Sequence, residues 1–300
     1  MTSTTADRLF GTNLVAMVTP MQPDGAVSAT GLSGLVQHLL DTGCDGIVVA
    51  GTAGESPTLS DIDTADIVRA VASQSKSRAR VIAGVGTYDT SVSIRRARTA
   101  ADAGADALLL VCPFYSMPTQ AGIIAHCTAV ADATDLPVIL YDVPARTGTA
   151  MAQSTLVELA SHPRIRAVKD AKGDLHQAMS VMDRTSLAYY CGIDELNLPY
   201  LASGATGVVS VVGNVVADRN AALIRAIRNG DLDEARTIAT ALIPLVEAVM
   251  RTSQGAIVAK AALAELGIIP HATVRLPLLE SPPAHLEQLT AALATVAVPT

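Results

Sequence analysis

The sequence predicts an α/β protein: a (β/α)8 barrel with a C-terminal helical extension. Eight short runs rich in Val, Ile and Leu recur along it, at 14–19, 46–50, 80–85, 105–112, 137–143, 165–171, 187–191 and 207–212. They are almost continuously apolar rather than alternating, as parallel strands covered on both faces are. Each gap between them leaves room for a loop and a helix. A short phrase also repeats: Asp41-Thr42-Gly43-Cys44-Asp45-Gly46-Ile47, then Asp102-Ala103-Gly104-Ala105-Asp106-Ala107-Leu108, then Ala202-Ser203-Gly204-Ala205-Thr206-Gly207-Val208. In each, a helix stops at a glycine able to take the left-handed C-cap conformation, and a buried strand begins. Eight such units point to a barrel. A doubly wound open sheet is the alternative, but no G-x-G-x-x-G follows any strand.

In chain order, amphipathic spacing predicts helices at 28–41, 60–75, 90–103 and 121–133 between the first strands. After Gly213 the strand pattern ends, and helices are expected at 216–229, 231–251, 255–266 and 283–294. The first of these closes the barrel. Gly230, Gly267, Pro270 and Pro277 punctuate the rest. We divide the chain into a barrel at 1–216, its closing helix following, and a helical extension at 217–300. No linker marks that boundary.

Composition narrows the function. Three hundred residues, half of them hydrophobic, supply one large core of barrel size. Aromatics make up only 3% and tryptophan is absent, so that core must be aliphatic. A net charge of −7 without a basic patch argues against nucleic acid. Cys44, Cys112, Cys127 and Cys191 form no C-x-x-C pair and read as reduced core cysteines of a cytoplasmic protein. Residues 1–8 lack the apolar region of a secretory signal, and no run is long enough for a membrane span. The six histidines show no metal-ligand spacing, and neither a phosphate loop nor a nucleophile elbow is present. No metal is expected.

Active sites of such barrels lie at the C-terminal ends of the strands. That rim collects Gly51-Thr52-Ala53-Gly54-Glu55-Ser56, Cys112-Pro113-Phe114-Tyr115, Tyr141 through Gly148, Lys169, Gly192-Ile193-Asp194 and Ser210. Lys169 stands out as one of four lysines, set at the end of an apolar strand. Taken alone it reads as a lysine snorkelling to solvent. In company it reads as an amine nucleophile, since ammonium is costly to bury and a neutral amine forms Schiff bases with carbonyls. Gly51–Ser56 is either a tight turn or an anion cradle of backbone N–H groups. Tyr141 is either an anchored core phenol or an acid/base group beside the lysine. Arg146 is either a solvated loop residue or a fork for a carboxylate.

With these residues in view, the chain resembles the dihydrodipicolinate synthase / N-acetylneuraminate lyase family of pyruvate-dependent class I aldolases. The resemblance runs from Gly11–Pro20 to Arg275-Leu276-Pro277 and rests on Gly51–Ser56, Pro113-Phe114-Tyr115, Tyr141…Arg146-Thr147-Gly148 and Val168-Lys169-Asp170-Ala171. It implies that Lys169 forms an imine with pyruvate and that Tyr141 moves protons beside it. It further implies that Thr52 and Tyr115 complete a relay, with Tyr115 reaching in from a neighbouring subunit. Arg146 would bind the carboxylate of the acceptor, L-aspartate-4-semialdehyde. Ala53, Gly192 and Val209 would contact substrate through their backbones. The covalent imine would replace any cofactor, and a homotetramer built as a dimer of dimers is expected.

Some positions depart from the family pattern. Ala53 stands where a second threonine hydroxyl usually helps to hold the keto acid. Ile193 replaces an acidic residue common in the synthases, Phe114 a tyrosine and Cys112 a threonine. Thr64 and Val92 stand where lysine-inhibited relatives carry histidine and glutamate, so weak or absent inhibition by lysine is expected. Two rival readings stay open: an aldolase or hydratase-aldolase using another 2-keto acid or aldehyde, and a non-catalytic paralogue that binds a keto acid.

Overall fold

A computed structural model describes residues 5–296. Eight strands close into one barrel, each parallel to its neighbours: β1 (Asn13–Ala16), β2 (Gly46–Val49), β3 (Arg80–Gly84), β4 (Ala107–Val111), β5 (Val138–Asp142), β6 (Ile165–Asp170), β7 (Ala188–Cys191) and β8 (Gly207–Ser210). β8 returns to β1, with Asn13 opposite Val208. Every apolar run therefore supplies one strand, each slightly shorter than its run, because the flanking apolar residues serve the loops.

Several helices begin where short polar side chains satisfy the first free N–H groups. Ser28 caps Ala29–Asp41 by accepting from Gly31 N. Ser60 and Asp63 form a reciprocal capping box at the start of Asp61–Ser75. Asp89 and Thr119 cap the next two helices. The repeated phrase closes as its glycines suggest. Gly43, Gly104 and Gly204 all have positive φ. The following amides of Cys44, Ala105 and Ala205 bond back to Leu39, Ala100 and Tyr200 at 2.9, 3.0 and 3.0 Å, a Schellman closure repeated three times.

Two apolar layers result. Leu14, Val48, Ile82, Leu109, Ile139 and Ala167 fill the barrel interior. Their strand neighbours, such as Val15, Ile47, Val81, Leu108 and Val168, face the helices. This is the period-two alternation of a strand, hidden in the sequence because both faces are buried.

Helix Gly213–Arg228 packs on β1 and β8 and is interrupted by non-helical geometry at Val216. Leu232–Met250, Gly255–Glu265 and Pro283–Thr295 follow and pack on one another. A short helix, Thr5–Phe10, precedes β1 and was not expected from the sequence. Phe10 plugs the barrel interior, edge-on to Tyr190. Among the described residues all four cysteines are buried and unpaired. No helix there is long and apolar enough to cross a membrane, and no three His, Cys, Asp or Glu side chains converge as metal ligands.

Candidate active site

The site grows out of the β5–β6 pairing. Val138 lies opposite Ile165, yet Ile139 lies opposite Ala167, so Arg166 is an extra residue in β6. Without that bulge Tyr141 would face Val168, and Lys169 would point at the helices. With it, Tyr141 lies opposite Lys169 and both turn into the barrel mouth. Lys169 Nζ sits 4.2 Å from the centre of the Tyr141 ring. The lysine is only 5% exposed and forms no ion pair among the described residues. A buried amine without a carboxylate partner can serve as a nucleophile, with a phenol at its side to exchange protons.

Gly192, just beyond β7, forms the floor beneath this lysine. A Cβ there would stand 2.9 Å from Lys169 Cε and 3.0 Å from the Asp170 carbonyl oxygen. Val209 and Ala53 pack with Tyr141 in the interior layer.

The turn after β2 is strained at both ends: Ala50 has φ +50° and Glu55 has φ +59°. Two amide bonds pull it closed, Glu55 N to Thr52 O and Ser56 N to Gly51 O, each 3.2 Å. The N–H groups of Thr52, Ala53 and Gly54 donate to nothing among the described residues. Successive free amides in a tight turn form an anion-binding concavity. Thr52 and Arg146 line a common cleft of about 230 Å³ together with Phe114 and Val143. Arg146 is exposed on the one-turn helix Pro144–Thr147. Tyr115 is not among the residues lining that cleft. It is 91% exposed, at φ +68°, on a loop whose neighbour Phe114 stacks edge-on against Tyr88.

Sequence reading missed a layer of buried charge behind these groups. Asp142 and Asp170 pair in register on the helix-facing side of β5 and β6. Burial pushes the Asp142 carboxyl up to about 6, against the pull of the Lys172 ammonium 3.6 Å away. Burial also raises Asp170, whose Oδ1 accepts from the amides of Lys172 and Gly173. Asp194 is raised by burial as well; it accepts from Ser210 Oγ and from the amides of Val211 and Val212, tying the end of β8 to the loop after β7. Lys260 and Glu55 form an ion pair with neither side chain reaching solvent. The available signal was charged residues inside or beside apolar runs; their partners lie too far along the chain to be read.

The chain matches the model of the dihydrodipicolinate synthetase family over residues 9–296. It is 48% identical over 289 residues to the 4-hydroxy-tetrahydrodipicolinate synthase of Mycolicibacterium paratuberculosis, covering 96% of each chain. Among solved structures, the lysine-bound dihydrodipicolinate synthase of Cyanidioschyzon merolae superposes with a TM-score of 0.93 at 37% identity, covering 96% of this chain and 98% of that one. The pyruvate complex of the Acinetobacter baumannii enzyme superposes with a TM-score of 0.91 at 35% identity, covering 95% and 98%.

Proposed function

Because the chain belongs to the dihydrodipicolinate synthetase family, we propose that it is a 4-hydroxy-tetrahydrodipicolinate synthase, a lyase of the class I aldolase type. It condenses pyruvate with L-aspartate-4-semialdehyde. The observation that carries this reading is Lys169, buried without a counter-ion among the described residues and opposite Tyr141 in the barrel mouth.

Lys169 Nζ attacks the ketone carbon of pyruvate and water leaves, giving an imine. The imine withdraws electrons, so the pyruvate methyl group loses a proton and becomes an enamine carbon. That carbon attacks the aldehyde, and the new alkoxide takes a proton. The amino group of the acceptor then displaces Lys169 from the imine carbon, closing the ring and freeing the enzyme. One water is released overall. Tyr141 is the proton carrier beside the imine, with Thr52 linking it toward Tyr115. Tyr115 is exposed and lies outside the lining of its own protomer's cleft, which supports its service to a neighbouring subunit in a homotetramer. The free amides at Thr52 to Gly54 hold the pyruvate carboxylate, and Arg146 orients the carboxylate of the acceptor. The covalent imine takes the place of a cofactor, and the enzyme works in the cytoplasm.

Borohydride reduction in the presence of pyruvate tests this. The expected product is a single adduct on the Lys169 peptide, absent in Lys169→Ala. An equal adduct in that variant would end the proposal. Sedimentation of the active enzyme tests the assembly, and a fully active monomer would contradict the shared Tyr115. Ala53 and Ile193 favour a second reading, with another 2-keto acid in place of pyruvate. Trapping of pyruvate without turnover of aspartate semialdehyde would support it.

A further inference from the structure

Resting on the functional reading above, we infer that Lys260 of the C-terminal extension is a positioning residue for the keto-acid-binding turn, acting through Glu55. Lys260 lies on helix Gly255–Glu265 and is fully buried, though it belongs to no catalytic motif. Its Nζ donates to Glu55 Oε1, across 205 residues of sequence, and to the Thr273 carbonyl oxygen at 2.7 Å. The other carboxylate oxygen, Oε2, accepts from the backbone amide of Arg275 at 3.0 Å. Both oxygens of Glu55 are thus held by the extension.

Arg275 grips the far side of the same turn. Its guanidinium donates to the Thr58 carbonyl oxygen at 2.6 Å, to Asp63 Oδ2 at 3.0 Å and to the Gly25 carbonyl oxygen at 2.8 Å. Thr19 Oγ1 adds a bond to the Gly54 carbonyl oxygen.

A left-handed conformation disfavours a glutamate, and such geometry persists only where the surroundings over-determine it. At Glu55 the surroundings are largely the extension. Glu55 is also the residue whose amide closes the turn onto Thr52 O, beside the Thr52, Ala53 and Gly54 amides that have no acceptor among the described residues. Relaxing Glu55 toward an ordinary backbone conformation would reorient those amides. The extension therefore shapes the pyruvate subsite without touching it. Arg146, whose short helix follows β5, is reached by none of these bonds.

This asymmetry supplies the test. Pyruvate is titrated in borohydride trapping, and steady-state KM is measured for both substrates, in wild type, Glu55→Gln and Lys260→Met/Glu55→Gln. The neutral double variant is included because Lys260→Met alone strands a buried carboxylate and invites unfolding. Thermal melts identify the folded variants. Losing a charge-assisted bond that orients the turn is expected to raise half-saturating pyruvate about tenfold or more. The KM for the aldehyde should stay within about twofold, as at a site without shared partners. Folded variants that trap pyruvate at the wild-type concentration, or that lose both substrates equally, overturn the inference while the functional reading stands. A wild-type protein that traps no pyruvate overturns both.

Discussion

Replacing Gly192 with alanine tests whether the site depends on where Lys169 Nζ sits. The new methyl group would stand 2.9 Å from Lys169 Cε, 3.0 Å from Lys169 Cγ and 3.0 Å from the Asp170 carbonyl oxygen. Carbon atoms rest at about 3.5–4.0 Å, so both lysine contacts are short by roughly half an ångström or more, and the contact to the carbonyl oxygen is tight as well. The Asp170 carbonyl belongs to β6 and cannot retreat, so the lysine side chain must give way. Overpacking of this kind costs about 1–3 kcal/mol of stability, which leaves a barrel of this size folded. A displacement of about 1 Å at a reacting atom costs on the order of a hundredfold in rate. The expected result is a folded protein whose single-turnover rate of imine formation, read by timed borohydride quench, falls about 10–100-fold. A wild-type quench rate in a folded Gly192→Ala variant would refute the reasoning, since Lys169 would then tolerate displacement.

Three further predictions follow from neighbouring groups. Asp142→Asn removes a carboxyl that folding raises from 3.8 to about 6. The folded chain holds that proton more tightly than the unfolded chain, so the group's stabilising contribution is complete below about pH 4 and lost as pH rises through about 6. The variant should therefore match wild type near pH 4 and exceed it by up to about 3 kcal/mol at pH 8, with Lys172 still held by Gln177; equal gains in melts at both pH values would contradict the assignment. Ala53→Thr should lower half-saturating pyruvate about tenfold by restoring one bond to a carboxylate, whereas unchanged pyruvate saturation with loss of a bulkier 2-keto acid would favour the second reading. Free lysine should not half-inhibit below about 1 mM, binding weaker than roughly −4 kcal/mol, given Thr64 and Val92; a low-micromolar inhibition constant would overturn this.

Strand positions were legible in the sequence because parallel barrel strands are buried on both faces, and continuous apolar runs report that burial directly. Helix stops were legible for a similar reason. Gly43, Gly104 and Gly204 sit where the left-handed geometry is local, and local constraints leave local signatures. The helix Thr5–Phe10 was not legible, since six mixed residues carry too little periodicity. The site was legible as a list, from motifs at strand ends, but not as a geometry.

Lys169 shows where that division falls. Sequence alone placed a lysine near the end of the sixth strand of a barrel, at the rim where such folds do chemistry. It could not determine which way the lysine points. A strand buried on both faces has no polar side to mark inside from outside, and a single extra residue reverses the sense. Pairing with β5 settles the matter: the bulge at Arg166 turns Lys169 inward opposite Tyr141 and sends Asp170 outward. The partnership of Lys260 with Glu55 is of the same kind. Neither residue's neighbours along the chain foretell it, because only the closed barrel brings helix Gly255–Glu265 against the turn after β2.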